Sequence, residues 1–226
     1  MSRILVLGAS GATGGHVVRL AREAGHDVVA AARDPQEHDF DVETAAVDVL
    51  EPSGLDEALA GLDAVISALG VNNDPRTLLN PPPLYSEGHA NVLDAMEVHG
   101  VRRFVAVSAL WSRDNAFGPL WFRLGPVMAL TRVYSDMRRM ERQVSARPGV
   151  DYTIVRAGYL QDDPIESPPP QAHADRPPQG HWLTRREDLA RFMVSCVESD
   201  DWSRRMPCFV QEDDEKVARR KTPDLI

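Results

Sequence analysis

A glycine-rich turn near the start of the chain constrains the fold more than any other feature. Residues 3–15 read RILVLGASGATGG, so a short apolar run gives way to glycines at positions 8, 11, 14 and 15. Apolar residues with helical spacing follow over 17–24. The stretch therefore predicts a buried strand, a tight turn and the start of a helix.

The chemistry of this turn suits a pyrophosphate. Gly8 allows a sharp exit from the strand, Gly11 lets backbone N–H groups approach phosphate oxygens, and Gly14 lets the helix pack closely on the strand. The N-terminus of the helix adds partial positive charge. We predict a dinucleotide site here; the alternative is a strand–helix turn that carries no ligand.

Strands and helices alternate along the rest of the chain. We predict further strands near 28–32, 44–47, 64–68, 103–107, 152–156 and 207–210, and helices near 55–59, 85–99, 132–146 and 185–198. Thr184 and Glu187 have the spacing of a capping box at the start of the last helix. The alternation is typical of a Rossmann-type α/β fold with a doubly wound parallel sheet.

The length of the chain is consistent with a single domain. We expect this domain to span 1–210, with long loop-like segments at 109–130 and 162–180. The charged stretch 211–226 lacks periodicity and is expected to be a poorly ordered tail.

The composition excludes several classes of protein. The 226 residues carry a formal net charge of −9, which disfavours binding to nucleic acid or to anionic membranes. The apolar runs are too short to span a bilayer, and the two cysteines do not suggest a disulfide framework. We expect a cytoplasmic protein that is a monomer or a small homo-oligomer and that binds a small molecule.

Polar residues at the ends of the predicted strands are the candidate ligand contacts, because ligands of doubly wound sheets bind outside the carboxyl ends of the strands. Arg33 stands where an NAD enzyme would place an acid, so its guanidinium favours the 2′-phosphate of NADP(H). A solvated strand-end charge is the alternative, and Asp34 could instead accept from a ribose. Asp48 is a candidate acceptor for the adenine amino group or, equally, a turn cap.

Three residues are candidates for the catalytic step. Ser108 ends the fifth strand, where its hydroxyl could bond a substrate carbonyl or the nicotinamide carboxamide, or simply satisfy nearby backbone. Tyr134 and Arg138 share a helix face, so Arg138 could favour the phenolate and make Tyr134 a proton donor. An exposed Tyr beside a cation on a solvated face is the alternative. The seven histidines lack metal-ligand spacing, so no metal is predicted.

The sequence from Gly8 to Gly14, GASGATG, resembles the GxxGxxG fingerprint of atypical short-chain dehydrogenase/reductases. Further segments follow in the order of that family and are similar to its NmrA-like and biliverdin-IXβ reductase–flavin reductase branch: AARD at 31–34, DVL at 48–50, DAVI at 63–66 with LG at 69–70, SEG at 86–88 with Asn91, HGV at 99–101, RM at 139–140 and EDL at 187–189. The branch often has Arg where this chain has Asn72.

The resemblance implies an NADP(H) site and hydride transfer to a flat conjugated acceptor such as a flavin, a quinone or a bilin. With the turn itself, it predicts the cofactor-binding residues Gly8, Ser10, Gly11, Ala12, Thr13, Gly14, Arg33, Asp48, Val49, Leu69 and Gly70. It also puts Ser108 near the nicotinamide.

The distribution of lysine limits the mechanism. Only Lys216 and Lys221 are present, so the Tyr-x-x-x-Lys pair of ordinary short-chain dehydrogenases is missing. Catalysis would then rest mainly on placement of the two reactants. The aromatic residues at 111–122 could stack on an acceptor ring or pack a long loop. An NADPH-dependent reductase is the first hypothesis, an NADP(H)-sensing regulator the second, and a nucleotide-sugar epimerase or dehydratase the third.

Overall fold

The computed structural model describes residues 1–51, 54–71, 74–114, 117–162 and 168–212. The strands are β1 (Arg3–Leu7), β2 (Asp27–Ala32), β3 (Glu43–Ala46), β4 (Ala64–Ser67), β5 (Arg103–Ala109), β6 (Asp151–Ala157), β7 (Tyr159–Gln161), β8 (Gln171–His173), β9 (His181–Arg185) and β10 (Cys208–Glu212). The helices are α1 (Ala12–Glu23), α2 (Leu55–Leu59), α3 (Pro75–Leu79), α4 (His89–His99), α5 (Leu120–Phe122), α6 (Thr131–Ser145) and α7 (Arg186–Glu198).

The strands form one mixed sheet in the order β3-β2-β1-β4-β5-β6-β10-β9-β7, and β8 pairs with β10. The pairs from β3 through β6 to β10 are parallel. The predicted Rossmann-type doubly wound sheet is confirmed. The predicted parallel sheet is mixed at one edge: β8 and β9 run antiparallel to β10, and α7 lies between β9 and β10 in the chain.

Two hydrophobic cores cover the two faces of the sheet. Strand residues alternate between them: Leu5 packs against α2, α4 and α6, whereas Ile4 and Val6 pack against α1 and α7. The strand order reverses between β1 and β4, which opens a crevice at the carboxyl ends of these strands. The fold therefore places the glycine-rich turn at the point where ligands of such sheets bind.

Two predicted helical details differ in the structure. The segment 109–130 contains α5, a 3₁₀ turn at Leu110–Ser112 and a π-helical turn at Arg123–Val127. The predicted capping box of α7 is wrong: the N-cap is Arg185, and the Thr184 hydroxyl instead donates to the carbonyl of Phe209 at 2.6 Å.

The boundaries of the C-terminal half also differ from expectation. Segment 162–180 contains β8, although its residues 163–167 lie outside the described residues. The expected tail begins later than residue 211, because Gln211 and Glu212 belong to β10; residues 213–226 lie outside the described part. Among the described helices, none combines the length and the apolar character needed to cross a membrane.

Candidate functional site

A cavity of about 780 Å³ opens at the carboxyl edge of the sheet. This volume lies within the range of roughly 300–1,000 Å³ that is usual for small-molecule sites. Most predicted site residues line it: Gly8, Ser10, Gly11, Ala12, Thr13, Arg33, Asp48, Val49, Leu69, Gly70, Ser108 and Tyr134. Gly14 and Arg138 are not among the lining residues.

Gly8 and Gly14 shape the turn by backbone contact. Gly8 has φ +74°, and a Cβ there would lie 2.9 Å from the carbonyl oxygen of Ala68. A Cβ on Gly14 would lie only 2.0 Å from the carbonyl oxygen of Gly8. Gly14 thus serves the close packing of α1 on β1, as the sequence predicts, and it contributes to the cavity indirectly.

The N-terminus of α1 offers backbone donors to an anion. Gly11 is the N-cap, so no side chain caps the helix, and the first turn carries no acidic residue. The N–H of Gly11 donates to the carbonyl of Gly8 at 3.0 Å, whereas the first amides of the helix have no partner within it. Together with the close backbone packing, this arrangement fits a pyrophosphate.

Arg33 and Asp48 face the same cavity from the ends of β2 and β3. Arg33 is exposed, and no acidic group within the described chain pairs with it. Asp34 is the N-cap of a 3₁₀ turn and does not line the cavity. Its position therefore argues against Asp34 as a ribose ligand. Asp48 Oδ1 accepts from the Leu50 N–H at 3.0 Å, so Asp48 caps a turn as well as lining the cavity.

Ser108 is engaged by a buried carboxylate. Its hydroxyl donates to Glu141 Oε1 at 2.7 Å, and the Ser112 hydroxyl donates to the same oxygen at 2.6 Å. Arg156 binds Glu141 through Nε at 3.0 Å and Nη2 at 2.7 Å. Because its proton points to Glu141, Ser108 can offer only lone pairs to the cavity; it can accept from a carboxamide N–H but cannot donate to a substrate carbonyl.

The predicted activation of Tyr134 by Arg138 is wrong. Arg138 is exposed, and its Nε donates to the carbonyl of Ser112 at 2.6 Å. Tyr134 is buried, which raises the pKa of its phenol above the ordinary value, and the nearby Tyr85 adds to this effect. The alternative of an exposed Tyr is equally wrong. No described residue accepts from the Tyr134 hydroxyl, so Tyr134 is a neutral phenol at the cavity wall.

The aromatic residues of 111–122 divide between the two predicted roles. Trp111 lines the cavity, and its ring centroid lies 5.9 Å from that of Tyr134. Phe122 is buried against Trp182 at 4.7 Å and serves packing. Trp121 is exposed. Further apolar lining residues come from α6 and from the segments before α4 and after β6: Leu84, Tyr85, Val133, Met137, Tyr159 and Leu160.

A buried histidine supports this wall from behind. His89 Nδ1 donates to the carbonyl of Tyr85 at 2.8 Å, and its Nε2 accepts from the Ser67 hydroxyl at 2.7 Å. This pairing requires the neutral imidazole. Burial lowers the pKa of His89 to about 4, although the hydrogen bond with Tyr85 opposes the shift.

The depressed pKa of His89 makes stability depend on pH. The unfolded chain binds a proton near pH 6.5, whereas the folded chain binds it only near pH 4. The contribution of neutral His89 to the free energy of unfolding is therefore present above pH 6.5. It is lost as the pH falls, by about 2 kcal/mol between pH 7.5 and pH 5. Urea unfolding of wild type and His89→Gln should show this loss in wild type only; equal pH dependence of the two would contradict the assignment.

The profile of a protein family described as NAD(P)H-binding matches residues 8–200. This chain belongs to that family. The match covers the glycine-rich turn, the cavity and α7, and the resemblance seen in the sequence is confirmed. The chain is thus an NAD(P)H-binding protein.

Individual relatives of this NAD(P)H-binding protein have low sequence identity to it. It is 27% identical over 216 residues to the photosystem II assembly factor Ycf39 of Synechocystis, covering 90% of this chain and 60% of that protein. The chain spans about 60% of the length of the first curated relatives it matches.

Solved structures share the fold. ChuY, an anaerobillin reductase from Escherichia coli O157:H7, superposes with a TM-score of 0.72 at 20% identity, covering 94% of this chain and 98% of that one. A wide-type short-chain dehydrogenase/reductase from Veillonella parvula in complex with NADP gives a TM-score of 0.74 at 16% identity, covering 92% and 94%.

Two charged residues of the site in this NAD(P)H-binding protein, Glu141 and Arg186, were not predicted from the sequence. Glu141 lies on the apolar face of α6, four residues after Met137 and three before Val144, and an acid at such a position is a usable signal of a buried pair. Arg186 is the first residue of α7 and lines the cavity. The sequence signal that could have identified it is its position directly after a strand. Within the described residues, no three His, Cys, Asp or Glu side chains form a metal-binding group.

Proposed function

We propose that this NAD(P)H-binding protein is an NADPH-dependent reductase that passes a hydride to a flat conjugated acceptor such as a flavin, a quinone or a bilin-like ring. One observation carries the proposal: a single cavity joins the phosphate-binding turn to an apolar chamber walled by Trp111, Tyr134 and Met137, with Ser108 also in its lining. A chamber of this kind suits a planar apolar ring. The shared fold with an anaerobillin reductase supports the same class of acceptor.

The cofactor half of the site divides the dinucleotide among separate groups. The N-terminus of α1 would hold the pyrophosphate, Arg33 the 2′-phosphate, and Asp48 the adenosine. Val49, Leu69 and Gly70 would line the path toward the nicotinamide, whose carboxamide N–H would donate to Ser108. NADPH, when bound, supplies the hydride from C4 of its nicotinamide.

The acceptor half supplies placement and one hydrogen bond. The neutral Tyr134 hydroxyl can donate to a carbonyl or ring nitrogen of the acceptor and so stabilise the charge that develops there. Ser108 cannot share this task, because its proton is committed to Glu141. The aromatic and aliphatic walls exclude water and hold the acceptor ring against the cofactor face.

An acceptor panel tests the proposal. Wild-type protein is mixed with NADPH and one acceptor at a time, which is FMN, riboflavin or a naphthoquinone. The loss of NADPH absorbance is then followed. Tyr134→Phe should lower kcat about tenfold with unchanged Kd for NADPH, because one hydrogen bond to developing charge is worth about 1.5 kcal/mol. Tyr152→Phe, a change at a buried tyrosine outside the cavity lining, is the matched control. A wild type that binds NADPH and reduces none of the acceptors would refute the reductase.

Replacement of Arg33 should change cofactor preference. In Arg33→Ala we expect the Kd of NADPH to rise about 10- to 100-fold and that of NADH to stay the same, because a charge-assisted bond to phosphate is worth about 1.5–3 kcal/mol. Titration calorimetry with both nucleotides measures this. Asp34→Asn should leave both values unchanged, since Asp34 does not line the cavity. An unaltered ratio of the two Kd values in Arg33→Ala would overturn the preference for NADP(H).

A second candidate is an NADP(H)-sensing regulator without catalysis. It is favoured by the raised pKa of Tyr134, which leaves the described cavity without an activated acid at that position. Such a regulator should bind NADPH and NADP⁺ with similar affinity and purify with a partner protein. Turnover of a small acceptor by the purified chain alone would exclude it.

The third hypothesis is an epimerase or dehydratase acting on a nucleotide sugar. The properties of Tyr134 do not support it. That chemistry needs a base to remove a proton from the sugar. Burial stabilises the neutral form of Tyr134, so it is a poor base, and residues 1–215 contain no lysine to activate it.

A further inference from the structure

Arg186 is a second cation in the cavity, apart from Arg33. It begins α7, and its side chain is largely buried at 24% exposure. Its Nη1 donates to Asp162 Oδ1 at 2.7 Å, and Asp162 is its only acceptor among the described residues. A guanidinium has five N–H donors, so most of those on Arg186 are available to a ligand.

The packing of α7 on α1 places Arg186 beside the phosphate-binding turn. Arg19 Nη2 of α1 donates to Glu187 Oε1 at 2.9 Å, and His26, just after α1, contacts Glu198 Oε1 at 3.1 Å. The two helices therefore run side by side in the same direction, with their N-termini at the same edge. Arg186 lines the same cavity as the uncapped N-terminus of α1.

We propose that Arg186 binds the pyrophosphate of the dinucleotide opposite the N-terminus of α1, and that Asp162 competes with the cofactor for this guanidinium. The inference rests on cofactor binding in the proposed function and does not depend on the acceptor. The two cavity-lining arginines then have separate ligands: Arg33 reads the 2′-phosphate, whereas Arg186 contacts a group common to NADPH and NADH. The Arg186–Asp162 pair opens when the cofactor enters and closes again when it leaves.

Paired substitutions with opposite expected effects test this role. Arg186→Gln should raise the Kd of NADPH and of NADH by about the same factor, roughly tenfold, because both lose one charge-assisted contact. Asp162→Asn should lower both values about two- to fivefold, because the competing carboxylate is gone. Arg185→Gln is the matched control: Arg185 pairs with Glu187, does not line the cavity, and its loss should leave both values unchanged. Titration calorimetry reads out all four proteins without any acceptor.

Three results would overturn the proposal. The first is weaker binding in Asp162→Asn, which would make the ion pair merely structural. The second is a loss for NADPH alone in Arg186→Gln, which would assign Arg186 to the 2′-phosphate. The third is unchanged nucleotide binding in Arg186→Gln with a raised KM for FMN but not riboflavin, which would assign it to a phosphate on the acceptor. If Arg186→Gln does not fold, Asp162→Asn decides by its direction alone.

The outcome is separable from that of the reductase. A wild type that binds both nucleotides but reduces no acceptor would refute the reductase, and the Arg186 and Asp162 comparison would still be decided by binding.

Discussion

Gly14→Ala should unfold the cofactor half of the site. The added Cβ would lie 2.0 Å from the carbonyl oxygen of Gly8 and 2.7 Å from its carbonyl carbon. Both are backbone atoms of the turn, so relief requires α1 to move away from β1 and lose buried contacts. We expect a loss of at least about 3 kcal/mol in the free energy of unfolding, measured by urea denaturation, and no detectable NADPH binding.

The neighbouring glycine provides the matched control. A Cβ on Gly15 would meet its nearest atom, the carbonyl oxygen of Ala9, at 3.9 Å, an ordinary contact. Gly15→Ala should therefore stabilise the protein by about 0.5–1 kcal/mol, since alanine is the better helix former. A Gly14→Ala variant as stable as Gly15→Ala would contradict the close helix–strand contact on which the turn depends.

Glu141→Gln should be the most damaging change outside the turn. It leaves the buried Arg156 guanidinium without its counter-ion and places an amide N–H₂ among donors from Ser108, Ser112 and Arg156. Breaking a buried ion pair from one side costs about 3–5 kcal/mol. Urea denaturation measures the loss, and nucleotide titration of the folded fraction reports whether the orientation of Ser108 also matters.

An exposed ion pair serves as the control for charge loss. Glu23→Gln removes one of the two acidic partners of Arg19 on the surface of α1, where the Arg19 and Glu23 side chains are about half exposed. Such a pair contributes less than about 1 kcal/mol. If Glu141→Gln cost no more than Glu23→Gln, the buried pair of Glu141 with Arg156 would not stabilise the fold.

The cofactor-binding part of the site could be predicted from the sequence because its turn is built from residues that are close together in the chain. Gly8 and Gly14 are six residues apart, and the turn they build needs only a strand before it and a helix after it. Arg33 and Asp48 follow buried strands, and the carboxyl ends of parallel strands meet at one edge. Their places in the cavity lining agree with that expectation.

The apolar part of the cavity around Tyr134 could not be predicted from the sequence in the same way. Tyr134 and Arg138 do share one side of α6 in spacing, but packing turns Tyr134 inward and leaves Arg138 at the surface, bonded to the carbonyl of Ser112. Thr184 has the spacing of a cap, yet its hydroxyl accepts from the Gly158 N–H and donates to Phe209. Both predictions failed because a partner distant in sequence replaced the nearby one.

By itself, the sequence determined the fold class, the glycine-rich cofactor turn and the missing Tyr–Lys pair, since each depends on residue type and short-range spacing. Only the tertiary structure decided which polar groups the apolar part of the cavity presents. It directed the Ser108 proton to a carboxylate 33 residues away, left Tyr134 as a buried phenol at the cavity wall, and brought Arg186 to the cavity. Those outcomes depend on which helix faces are buried against the sheet and on the polar partners that burial demands, neither of which short-range spacing specifies.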